Sequence, residues 1–144
     1  MNKILAMLLT VAAMCLVGCS TSSRVVVNPG SALVAKSAYV FLHGGNSEDM
    51  DAHMQRELMA HGLTVKAGPE LDDPGTDLVV RYADSWRWDM AMYLSTLDIQ
   101  VYDTQSGTLI ASGSWKNSVL HGYHGGKKVT RQVMDEIFAK LRMP

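Results

Sequence analysis

Apolar and polar positions alternate along this chain in distinct ways, and each pattern predicts a different element. From Ile4 to Val17 the run is apolar apart from Thr10, short of the roughly 20 residues that a spanning helix needs. Asn2 and Lys3 give it a polar, positive start, so residues 1–18 read as a signal peptide that leaves the mature chain. From Ser20 to Ser37 the residues are mostly Ser, Thr, Val, Gly and Pro, with a turn signal at Asn28-Pro29-Gly30. This predicts a tether over residues 19–37, with an r.m.s. reach of roughly 25 Å at about 5–6 Å × √n. Within it, Val25-Val26-Val27 could instead pair as a short edge strand, the lesser of the two readings.

Beyond the tether the pattern becomes that of a folded domain, residues 38–144. Ala38 to His43 is an apolar run stopped by Gly44-Gly45, which predicts a buried strand. Asn46 or Ser47 can cap a helix whose first turn holds Glu48, Asp49 and Asp51, the charge sign that a helix amino terminus favours. Met50, Met54 and Leu58 give that helix a core stripe, and Gly62 is placed to end it with Leu63 packing back. Leu63-Thr64-Val65 starts a second strand, so this part reads as a βαβ crossover.

From Asp77 the period becomes 2. Leu78, Val80, Tyr82, Trp86 and Trp88 share one parity, with Arg81, Ser85 and Arg87 on the other. Tyr93, Leu97, Ile99 and Val101 line one side of the next strand, opposite Asp98 and Gln100. The turn between these two strands has no Gly or Pro to mark it, so Asp84 to Ala91 is open between a hairpin loop and a bulged continuation. Asp103 to Gly107 is a hairpin loop with a glycine placed for positive φ, and Leu109, Ala111, Gly113 and Trp115 alternate in the returning strand. A final helix is expected from about Lys127 to Arg142, with Val129, Val133, Met134, Ile137, Phe138 and Leu141 as its apolar stripe. The order β-α-β-β-β-β-α predicts an α/β (α+β) two-layer sandwich: a mixed sheet of about five strands with two helices on one face.

Composition narrows the function. The 144 residues suffice for one core without metals or disulfides. Loss of Lys3 leaves twelve basic and fourteen acidic residues, a formal charge of −2, which is no footprint for nucleic acid. Cys15 lies inside the segment that is removed, so no disulfide framework is expected.

The cysteine that stays is the most informative one. Leu16-Val17-Gly18-Cys19 resembles a bacterial lipobox, with cleavage between Gly18 and Cys19. A thiol must take a thioether-linked diacylglycerol, and a minimal residue must let the peptidase reach the bond before it. The resemblance implies a covalent lipid on Cys19, no other cofactor, and a protein anchored to the membrane without spanning it. Ser20 rather than Asp after the cysteine is similar to an outer-membrane address, on the periplasmic face.

Further along, Asp77-Leu78-Val79-Val80-Arg81-Tyr82, Trp86-Arg87-Trp88-Asp89, Tyr93-Leu94 and Asp103 to Gly107 resemble small envelope lipoproteins of Gram-negative bacteria. More distantly the element order is similar to the α/β domain of the curli-secretion lipoprotein, the Pel polysaccharide lipoprotein and the amino-terminal part of TolB. The resemblance covers roughly residues 38–141. It implies a binding or assembly part of the envelope rather than an enzyme, and it brings no catalytic residues.

Candidate chemistry agrees with that expectation. His43-Gly44-Gly45-Asn46-Ser47 lies between strand and helix, where N–H groups can cradle an anion, but it lacks dinucleotide spacing and reads as a tight βα turn. His121 and His124, with His43, are weak metal candidates, because zinc needs three or four convergent ligands. Met90 and Met92, and the helical face of Met50, His53 and Met54, are the soft-ligand candidates for copper, although Met is more often a core filler. No Ser lies in a G-x-S-x-G elbow, and Asp72-Asp73 reads as a solvated turn. Trp86, Arg87, Trp88 and Tyr93 are the candidate partner-binding cluster, for an envelope protein or a second copy, since Trp and Arg anchor interfaces. Whether the Trp rings are core or surface is open from sequence.

Overall fold

Six strands and two helices form the structure, a computed structural model that describes residues 21–31, 34–42, 48–69, 75–118 and 122–142. In chain order they are β1 (Ser22–Val27), β2 (Ser37–Phe41), α1 (Glu48–Ala60), β3 (Thr64–Gly68), β4 (Leu78–Asp89), β5 (Ala91–Asp103), β6 (Leu109–Lys116) and α2 (Gly126–Arg142). The sheet order is β1-β6-β5-β4-β2-β3. β2 runs parallel to both β3 and β4, while β4, β5, β6 and β1 pair antiparallel. The mixed sheet and its two helices are therefore those that the period changes predict.

Both helices cover one face. Met50, Met54 and Leu58 of α1, with Val133, Met134, Ile137 and Phe138 of α2, are buried in one cluster with Val40, Val80, Leu97, Ile99 and Val101 of the sheet. Each such side chain contributes about 1.5–3 kcal/mol by leaving water. α1 ends as its sequence requires. Gly62 has φ +90, its N–H reaches the Met59 carbonyl at 3.0 Å, and Leu63 N–H reaches that of Leu58 at 3.2 Å. That is a Schellman motif, closed by the buried Leu63 side chain. Across the helices Arg131 Nε lies 3.3 Å from Oε1 of the buried Glu57.

The tether is corrected over Ser22–Val27. These residues form an edge strand on β6, with Ser22 opposite Lys116 and Val27 opposite Ala111. Three β-branched residues in a row suit a pleated surface, and tertiary contacts decide the matter. Val25 is buried under α2, and Lys140 Nζ donates to the Val25 carbonyl at 2.8 Å. The sheet thus has six strands rather than about five, and it begins ahead of residue 38.

The parity of Tyr93 is also corrected. Ser85 pairs with Thr96 but Trp86 pairs with Leu94, so Ser95 is an extra residue in β5. A bulge of this kind flips the alternation for everything beyond it. Leu94 enters the core, and Tyr93 turns to the face opposite Leu97, Ile99 and Val101.

Candidate functional site

The β4–β5 hairpin runs past the rest of the sheet. The last pairing of β5 with β6 is Thr96 with Lys116, and Lys116 in turn pairs with Ser22. Beyond that row Trp86–Asp89 and Ala91–Leu94 pair only with each other among the described strands. The turn between them is Met90 alone, in the left-handed region with φ +59. A methionine there carries none of the usual signals for such a conformation, which is why the sequence left this turn open.

The two arms of this ribbon differ by face. Trp86 pairs with Leu94 and Trp88 with Met92 on the helix side, while Arg87 pairs with Tyr93 on the other. Trp86 is half-buried against the core, and its Nε1–H donates to Asp84 Oδ2 at 2.6 Å. It also closes over the start of α2, where a Cβ on Gly126 would come 3.4 Å from Trp86 Cζ2 and 2.5 Å from Met50 Sδ. Tyr93 is only 7% exposed and meets Tyr123 edge-on, with ring centroids 6.1 Å apart. The four residues of the expected cluster therefore divide: Trp86 and Tyr93 serve packing, and Arg87 and Trp88 face solvent.

The accessible apolar surface lies further out. Trp88, Met90 and Met92 are 72%, 86% and 58% exposed, and Tyr123, packed on Tyr93, donates its hydroxyl to the Asp89 carbonyl at 2.9 Å. Tyr123 had only its glycine-rich surroundings to mark it in sequence. The segment that carries it is bound along β5: Leu94 N–H donates to the His124 carbonyl at 3.2 Å, and Asn117 Nδ2 bridges the carbonyls of Leu94 and Gly122 at 3.0 Å each.

Among the described residues no group of three His, Cys, Asp or Glu could hold an ion. Met50 and Met54 are fully buried core residues. His53 is held below its ordinary range, first by burial and then by the Arg56 guanidinium beside it. The His124 ring meets Trp115 edge-on at 5.5 Å. Cys19, Gly18, His43 and His121, and the glycine-rich turn after β2, lie outside the described residues.

At the opposite end of the sheet a cleft of about 620 Å³ is bordered by Asp77 and Asp103. Both carboxylates already serve the fold. Asp77 Oδ2 accepts from Lys36 N at 2.7 Å and from Ser37 N and Oγ at 2.9 Å. These bonds, that from Lys36 foremost, hold it below the usual carboxylate range. Asp103 Oδ2 accepts from Ser106 Oγ at 2.6 Å and Ser106 N at 2.8 Å, with the same effect on its pKa. Two acids depressed in this way are ionised near neutrality, so neither is set up to donate a proton there.

No family model and no curated protein matches the chain. Among solved structures it is similar to PelC from Paraburkholderia phytofirmans, a dodecamer seen in two crystal forms. The TM-scores are 0.61 and 0.59 at 13% and 14% identity, over 87% and 85% of this chain and 99% and 98% of that one. It is also similar to TolB from Acinetobacter baumannii, with a TM-score of 0.50 and 13% identity over 85% of this chain, which spans 31% of that protein. At such identities the likeness establishes a shared fold.

Proposed function

We propose that the chain is a lipid-anchored component of the bacterial envelope. Residues 1–18 are removed, Cys19 is acylated, and the domain sits on the periplasmic face of the outer membrane, where it binds other envelope components without catalysing a reaction. The observation that carries this reading is the likeness to PelC, which extends over nearly the whole of that chain and is recorded there for a dodecamer. A domain of this architecture can thus be the repeated unit of an assembly. The lipobox supplies the location, and the structural engagement of Asp77 and Asp103 favours a role without acid–base chemistry.

Light scattering on the chain from Ser20 onward tests the assembly. A discrete multimer is expected, and a monomer at all concentrations overturns it. Labelling with radioactive palmitate tests the anchor. Cys19→Ser should lose both label and membrane association, and labelling equal to that of the parent removes the lipoprotein reading.

A further inference from the structure

We infer that the β4–β5 tip, carrying Trp88, Met90 and Met92, is a second membrane contact that enters the interfacial layer of the leaflet holding acylated Cys19. The inference rests on the lipid-anchored reading, and its geometry comes from strand register. Ser22, Lys116, Thr96 and Ser85 lie in one row across the sheet. β1 runs away from that row toward Val27, so the chain from Cys19 arrives at β1 from the side on which the hairpin projects.

The heights agree. From Ser85 to Asp89 the ribbon rises by roughly 13 Å at about 3.3 Å per residue. Cys19 is three positions before Ser22, a span of at most about 11 Å when extended. Laterally, β6 alone lies between β1 and β5, so the anchor and the ribbon are about 10–15 Å apart at a strand spacing of roughly 4.8 Å. A domain whose first strand is docked cannot stand off on a long tether, and its projecting end is brought to the bilayer.

The chemistry of that end suits an interface. Trp belongs at the headgroup level, where its ring is apolar and its N–H can stay wet. Met90 and Met92 add flexible apolar surface at the point of furthest projection. Around the same end Arg87, Lys116, Lys127 and Lys128 are exposed, beside Asp49 and Asp89, and such cations can meet anionic headgroups. The outer edges of both arms keep unpaired N–H and C=O groups, which suits the wet interfacial layer and not the hydrocarbon core.

The test uses the full acylated protein in phosphatidylethanolamine and phosphatidylglycerol vesicles whose lipids carry bromine near the top of the acyl chains. Tryptophan emission is compared with that of Trp88→Phe, with Trp115 in the core as an internal reference. The expected result is quenching of the parent, most of which disappears in Trp88→Phe, with circular dichroism unchanged. Protein retained on vesicles but quenched no more than Trp88→Phe overturns the inference and leaves the anchor intact. Trp88 shielded from aqueous iodide yet untouched by bromolipid places a protein on the tip and overturns it too. Chain that is neither acylated nor retained removes both the anchor and the tip contact.

Discussion

Gly113 in β6 lies directly beneath Val133 of α2, so that a Cβ on the glycine would come 2.5 Å from Val133 Cγ1 and 3.0 Å from Ile137 Cδ1. The missing side chain lets the helix settle onto the sheet. Gly113→Ala must push Val133 or tilt α2, and a loss of about 1–3 kcal/mol is expected from overpacking. Urea denaturation of the two proteins measures it. An unchanged midpoint would mean that α2 lies further from the sheet than described.

Trp86 and Trp88 should separate in the same measurement. Trp86 is half-buried and hydrogen-bonded to Asp84, so Trp86→Ala is expected to cost roughly 2–3 kcal/mol, below the range for a full core tryptophan. Trp88→Ala touches an exposed ring and should stay within about 0.5 kcal/mol. Equal losses would contradict the assignment of only one of them to the core.

The Asp77 carboxylate ties the start of β2 to that of β4, and its pKa is lowered from 3.8 in the folded state. The sign follows from linkage: its contribution is present above the unfolded value and is lost as pH falls through the folded one. Asp77→Asn should therefore be less stable than the parent near neutrality, with the gap closing below about pH 3.8. Denaturation midpoints from pH 7 to 3 show whether it does. A gap independent of pH would mean that the negative charge contributes nothing.

Glu57 is 3% exposed and meets Arg131 across the helix interface. Arg131→Met removes that partner and leaves a carboxylate in a dry setting, for an expected loss of about 1–3 kcal/mol. Adding Glu57→Leu should recover most of the loss, since apolar replacement of both members is often neutral. Thermal denaturation of the single and double variants decides between this and a pair without energetic weight.

Removing β1 should expose a partner edge. A chain beginning at Asn28 leaves the outer side of β6 unpaired, and bare edges recruit other strands. Open-ended, concentration-dependent aggregation beyond any discrete multimer of the chain that begins at Ser20 is expected in light scattering. Identical behaviour of the two would show that β1 adds nothing to the sheet.

What sequence could and could not show divides along physical lines. The stripe Val129, Val133, Met134, Ile137, Phe138, Leu141 lies where it must for a helix on a sheet, and Gly107 takes φ +67 in the hairpin loop that its position predicts. Local patterning carried those elements. β1 depended on a partner about ninety positions away, and nothing within Ser22–Val27 distinguishes a docked strand from a tether. The bulge at Ser95 was equally silent: one inserted residue inverts the faces of Tyr93 and Leu94, while the apolar letters themselves fit either register. At the candidate site, Trp88 and Arg87 were found by residue type. Their division from Trp86 and Tyr93 needed the pairing across the ribbon.

The pairing of Ser22 with Lys116 sets an order of events for a chain made from its amino terminus onward. The earliest strand to emerge has no place to go until the last strand has followed it, because contacts this remote in sequence form only after the intervening loop closes. The first strand therefore stays unmated while the rest of the sheet is laid down, and the arrival of β6 gives it the edge that completes the fold.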